Sequence, residues 1–313
     1  NLSKILMAFK KSLIVEPILI TGSNGFLGSH LTQYFLKKNT KIYSISHGKT
    51  KNPNIEQIGD DILNFKNLSY DFSTILHFAA LTDIQFCEKN QKQCFEINID
   101  GTKNILDLAR KNDSSLIFAS SSHVYGKPDS LPINEQSSIN PISIHAKSKV
   151  KAESLCEEYA KLYGMNIDIV RTFSIYGSNS PPYALISRII NQILFSEKII
   201  LGNLKSKRDF LHISDFLSAI DFLIQNKSNG CSIFNIGYGE SFSIDDICDK
   251  LLHISGTSKL IEFDSSLVRN NDTDELVCDT SKIKTLGWIP KVLLNDGLAE
   301  VFHWFKKNSK NLL

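Results

Sequence analysis

Two side chains near the middle of the chain have the types and the spacing for proton chemistry. They are His145 and Lys149, four residues apart in "NPISIHAKSKVKAES" (residues 140–154). Four residues is about one helical turn, so on a helix an imidazole and an ammonium would share one face. A free imidazole titrates near pH 6.5, and a neighbouring ammonium would lower that value. His145 is therefore expected to be mostly neutral near neutral pH and to accept a proton readily, as oxidation of a hydroxyl to a ketone requires. Turnover would then fall below roughly pH 6. Because an imidazole is short, a bridging water would complete the path where needed. The plainer reading is a polar neighbour of a helix start.

A second group belongs to phosphate chemistry. In "ILITGSNGFLGSHL" (residues 18–31), Gly22, Gly25 and Gly28 follow an apolar run directly and open a helical pattern. Gly22 permits a tight turn, Gly25 lets backbone approach a pyrophosphate, and Gly28 allows close helix–sheet packing. Asn24, Phe26 and Leu27 lie among these glycines. Backbone N–H groups at the positive helix end would bind the phosphates. A simple strand–helix turn explains one glycine, not three at this spacing.

These groups need a scaffold, and the sequence supplies an alternating one. Strand-like runs at 17–21, 41–46, 73–80, 115–122 and 166–173 alternate with helical spacing at 30–38, 94–111 and from about Ala146 to Tyr163. Such alternation predicts βαβ units and an α/β, Rossmann-type doubly wound parallel sheet. The expected division is a dinucleotide-binding domain over 1–175, with an extension at 1–16, and a smaller substrate-binding lobe over 176–313 that returns some segments to the sheet.

Composition narrows the partners. With 313 residues, 42% hydrophobic, 22% charged and a formal net charge of +2, the chain offers no electrostatic reason to expect nucleic acid or a membrane surface. Its six cysteines form no CxxC pair and no zinc spacing, so no metal is expected, and reduced thiols in a cytoplasmic protein are the expectation. Lysines interrupt the apolar residues of 1–17, so neither a signal peptide nor a membrane span is expected there.

The motif TGxxGFxG near the start resembles the extended short-chain dehydrogenase/reductase family, whose members modify nucleotide sugars. The resemblance runs through most of the chain: "GDDIL" (59–63), "LHFAA" (76–80), "NIDGTKNIL" (98–106), "SSSHVYG" (120–126), "RDFLHISD" (208–215), "FNIGYGESFSI" (234–244) and "LGWIP" (286–290). It implies that Asp61, with Ile62, lies near adenine and that Phe78, Ala79 and Ala80 lie along the cofactor, with Thr82 beyond them toward the substrate. It also implies a catalytic set of Ser121, a tyrosine and Lys149, in which the lysine holds the nicotinamide ribose. Here His145 stands where the tyrosine is expected.

The resemblance informs specificity as well. An acidic residue usually holds the adenine ribose, whereas "SISHGKTK" offers Ser46 and His47. The first arginine of the chain is Arg110, so no guanidinium stands near to clasp a 2′-phosphate, and Lys49 and Lys51 are the available charges. NAD is the expected cofactor, with NADP left open. Relatives that dehydrate at C4 and C6 carry Asp-Glu after the catalytic serine; this chain has Ser122 and His123, which argues against that reaction and leaves His123 as a second acid/base or a packed histidine. Arg208 and Arg269 resemble the diphosphate anchors, with surface salt bridges as the alternative, and Ser174 stands where relatives often have asparagine.

The expected ligand is a nucleotide-diphosphate sugar. The expected function is epimerisation at C4 by hydride transfer; the alternatives are a net 4-dehydrogenase or 4-ketoreductase and a non-catalytic nicotinamide-binding regulator. Apolar spacing of Val150, Leu155, Cys156, Tyr159 and Leu162 gives the His145 helix a second apolar face, and relatives pair through this helix, so a homodimer is expected.

Overall fold

The computed structural model describes residues 17–50, 52–65, 70, 72–268 and 273–309; the extension at 1–16, Lys51 and Arg269 lie outside the described residues. Three apolar residues and a terminal threonine, Ile18–Thr21, form β1, buried throughout. That pattern belongs to a strand covered on both faces. Helix α1 (Phe26–Lys37) follows, then β2 (Ile42–Ile45), β3 (Ile55–Gly59) and β4 (Thr74–His77). All four strands are parallel: β1 pairs with β2 and β4, and β2 with β3. The strand β3 did not stand out in the sequence; its half-polar "IEQIG" lies at the edge of the sheet and needs apolar cover less than the centre does.

The helical stretch expected over 94–111 is divided into three. Short helices α2 (Ile84–Lys89) and α3 (Gln91–Phe95) lead into a π-helical turn at Glu96–Asp100, and α4 (Gly101–Lys111) continues. Then come β5 (Ser115–Ser121), a 3-10 turn (Ser122–Tyr125), α5 (Ile144–Tyr163) and β6 (Ile167–Thr172). With β10 (Cys231–Ile236) these complete a seven-stranded sheet of order β10-β6-β5-β4-β1-β2-β3. This is the doubly wound α/β arrangement that the alternation predicts.

By Cα proximity the chain forms two compact units, 1–119 with 148–169 and 226–232, and 120–147 with 170–225 and 233–313. The second unit has its own core. There α6 (Leu185–Phe195), α8 (Ile244–Ser255) and α10 (Leu294–Asn308) pack through Ile189, Ile193, Leu251, Leu298 and Phe302. Strand β9 (Lys207–His212) organises its small sheet, flanked by β7 (Ser174–Tyr176), β11 (Ser241–Ser243) and β13 (Glu275–Leu276).

Candidate active site

The glycine turn has the tight geometry expected of it. Gly22 has φ of +70°, in the left-handed region that favours glycine, and a Cβ there would stand 2.8 Å from the Ala79 nitrogen. A Cβ on Gly28 would overlap the Gly22 carbonyl, with its carbon 2.7 Å away. Gly25 differs, since a Cβ there would meet only the Gly22 oxygen, at 3.2 Å, so its outer side is open to a ligand. Gly25 is also the N-cap of α1 and provides no side-chain cap, and no acidic residue lies in the first turn, which opens on Phe26 and Leu27. The positive end of the helix is thus left for an anion.

The loop after β2 is tied to this turn. The Asn24 backbone N–H donates to Ser46 Oγ at 3.1 Å, and Asn24 Nδ2 donates to the His47 carbonyl at 2.7 Å. Ser46 is buried, while His47 and Lys49 are exposed. Asp61 Oδ1 accepts from the Leu63 N–H at 2.9 Å and holds the turn after β3. Ile62 is buried above Gly101, where a Cβ would stand 2.5 Å from its Cδ1. Along the end of β4, the N–H groups of Phe78 and Ala79 both donate to Thr21 Oγ1, with Ala80 following and Thr82 exposed beyond.

Helix α5 carries both His145 and Lys149. His145 lies in its first turn and is 4% exposed; Lys149 follows one turn later. Burial lowers the Lys149 ammonium from 10.5 to about 8, partly offset by the Glu153 carboxylate. Its Nζ donates to the Ala119 carbonyl at 2.6 Å and lies over the Phe118 ring. In the second unit, Ser121 caps the 3-10 turn and its Oγ accepts from the His123 N–H at 3.2 Å. The His123 ring stands edge to face against His145, with centroids 6.3 Å apart. Ser122, between Ser121 and His123 in sequence, is buried.

The remaining described candidates, Ser174 and Arg208, lie on the sheet around β9. Ser174 pairs with Phe210, and Arg208, half-buried, lies opposite Phe242 and Leu276 and donates from Nη1 to the Lys207 carbonyl at 2.8 Å. Beside it, buried Asp209 accepts from the N–H groups of Tyr238, Gly239 and Cys278 at 2.6, 2.8 and 3.1 Å.

Polar residues beside the glycine loop that the sequence reading passed over are Thr21, His77, Asn98 and Thr102, all buried and joined by hydrogen bonds. The available signal was a threonine and a histidine at the ends of otherwise apolar strands. Among the described residues, no group of three or more His, Cys, Asp or Glu side chains could hold a metal, and no helix is long and apolar enough to cross a membrane.

A parallel sheet whose first strand runs through a glycine turn into an uncapped helix defines a dinucleotide-binding enzyme class. Residues 18–237 match the NAD dependent epimerase/dehydratase family, and the chain belongs to that family. It is 30% identical over 317 residues to a UDP-glucuronate 4-epimerase of Thermodesulfobacterium geofontis, covering 93% of this chain and 96% of that one. It is 31% identical over 316 residues to a UDP-N-acetyl-alpha-D-glucosaminuronate decarboxylase of Bacillus cytotoxicus, covering 92% and 97%. A solved UDP-glucuronic acid 4-epimerase from Bacillus cereus, in complex with UDP-glucuronic acid and NAD, superposes with a TM-score of 0.85 at 30% identity, covering 93% and 99%. The expected enzyme class, an NAD-dependent nucleotide-sugar epimerase/dehydratase type, is met. The cradle fits the cofactor, because the open side of Gly25 and the uncapped start of α1 are what a pyrophosphate needs.

Proposed function

We propose that this enzyme epimerises a UDP-sugar at C4, with His145 exchanging the proton of the 4-hydroxyl. When bound, NAD supplies the hydride acceptor and donor at that carbon. The observation that carries the reading is the run Ser121–His123–His145: the Ser121 hydroxyl holds the His123 backbone, whose ring lies 6.3 Å from the His145 ring. A ring nitrogen of His145 takes the hydroxyl proton and later returns it, while Ser121 Oγ orients the same sugar oxygen. Lys149, one turn on, holds the ribose of the cofactor and supplies positive charge beside the imidazole. Gly22, Asn24, Gly25, Phe26 and Leu27 bind the dinucleotide, with Ser46, His47, Asp61 and Ile62 toward its adenosine end and Phe78, Ala79 and Ala80 along its length. Arg208 and Arg269 take the diphosphate, and Thr82, Ser122, His123 and Ser174 line the sugar.

The similarity to a 4-epimerase at 30% identity supports C4 as the reacting carbon and UDP as the nucleotide. Six free cysteines support a cytoplasmic protein. Exposed Leu162 and Tyr163 near the end of α5 support pairing with a second copy through that helix.

The test mixes enzyme with UDP-glucose, UDP-glucuronic acid and their N-acetyl counterparts, following absorbance in the reduced-nicotinamide band and products by chromatography. Epimer formed without net absorbance change supports the reading. Net reduction of NAD indicates a dehydrogenase, and no product from any sugar indicates a regulator. His145→Phe should lower turnover about 100-fold or more; full rate in that variant would remove His145 from the chemistry.

A further inference from the structure

His77, at the end of β4, is 1% exposed, and its hydrogen bonds have a single consistent direction. Thr21 Oγ1 accepts from the N–H groups of Phe78 and Ala79, each at 3.1 Å. A hydroxyl has one proton and two lone pairs, so with both lone pairs engaged its proton must go to His77 Nδ1, 2.7 Å away. Nδ1 is therefore the bare nitrogen and Nε2 carries the hydrogen. Nε2 donates to Thr102 Oγ1 at 3.0 Å, and the Thr102 hydroxyl donates to the Asn98 carbonyl at 2.7 Å. The opposite tautomer would point a hydrogen at a hydroxyl whose acceptor capacity is spent.

This chain ends on the cofactor cradle. The two N–H groups that Thr21 holds belong to the turn facing Gly22, where a Cβ would lie 2.8 Å from the Ala79 nitrogen and 2.9 Å from its Cα. We infer that His77, through its Nε2–H tautomer, is a positioning residue that holds the Phe78–Ala79 turn against the glycine loop and so sets the width of the dinucleotide cradle. Burial first, and then the Lys149 charge, lowers the imidazole to about 3, so the direction of the chain stays the same at ordinary pH. A histidine that only filled space beside Phe118, 5.8 Å away, would respond to side-chain size and not to which nitrogen is preserved.

The two amide residues separate these cases. The asparagine oxygen of His77→Asn can stand where Nδ1 stands and accept from Thr21, whereas the longer His77→Gln places its amide near Nε2. Titration of each full-length protein with NADH, read by fluorescence, should leave His77→Asn within about threefold of the parent and weaken His77→Gln about tenfold. Equal affinities in the two variants, whether lost or kept, would overturn the role. If neither histidine variant folds, Thr21→Val, which keeps shape and removes the hydroxyl, decides it. About tenfold weaker NADH binding, restored by Thr21→Ser, supports the chain, and unchanged binding in Thr21→Val refutes it. The readout is cofactor binding, so its outcome is independent of the proposed role of His145.

Discussion

Lys149 Nζ donates a 2.6 Å hydrogen bond to the carbonyl oxygen of Ala119, so the ammonium on α5 is fixed to the strand that ends in Ser121. One hydrogen bond anchors a charge that burial opposes: the side chain is 4% exposed and its ammonium is lowered to about 8. A buried charge retained against that cost is the arrangement expected of a working lysine.

The cost is measurable through pH. An unfolded lysine keeps its proton to about 10.5 and the folded one only to about 8, so between those values the unfolded chain binds more protons and stability rises with pH. Below pH 8 the full cost, about 3 kcal/mol, is present. Lys149→Met should therefore gain about 1–2 kcal/mol in urea unfolding at pH 7, after losing the Ala119 bond, and that advantage should shrink between pH 8 and 10. Turnover in the variant should fall about 100-fold or more.

Gly28→Ala addresses the packing of α1 on β1. Its Cβ would overlap the Gly22 carbonyl oxygen, backbone that cannot move aside as a flexible side chain can. The expected loss is about 2–4 kcal/mol of unfolding free energy with weaker NADH binding. Urea melts and fluorescence titration check both, and a variant as stable as the parent would contradict the close approach.

Asp209 fastens three segments of the second unit by accepting from Tyr238, Gly239 and Cys278. Burial pushes its carboxyl up to about 6 against those donors, so between about 4 and 6 the folded chain binds more protons and this group's contribution to stability falls as pH rises. Asp209→Asn should lack that slope. The variant should also lose about 2–4 kcal/mol at pH 7, because its amide turns N–H groups toward backbone N–H groups. Urea melts at pH 4.5 and pH 7 read both effects.

Much of this protein is written in short-range patterns. The apolar runs that became β1, β2 and β4, the three glycines of the turn, and the spacing that put His145 and Lys149 on one helix were legible because local backbone preference and periodicity decide them. Other features depend on partners far along the chain. The helix expected over 94–111 admits a π turn in which Asn98, 1% exposed, bonds both Leu81 backbone groups and Ser148 Oγ. Ser46 faces the Asn24 backbone, and Ile62 fills the space that Gly101 leaves. The sequence by itself determined the class of fold, the glycine turn after β1 and the placing of His145 and Lys149 one turn apart on a single helix. Only tertiary structure decided which nitrogen of His77 bears hydrogen, how far burial shifts Lys149, and that the His123 ring stands beside His145, because hydrogen-bond direction and desolvation come from residues that meet only when distant segments pack.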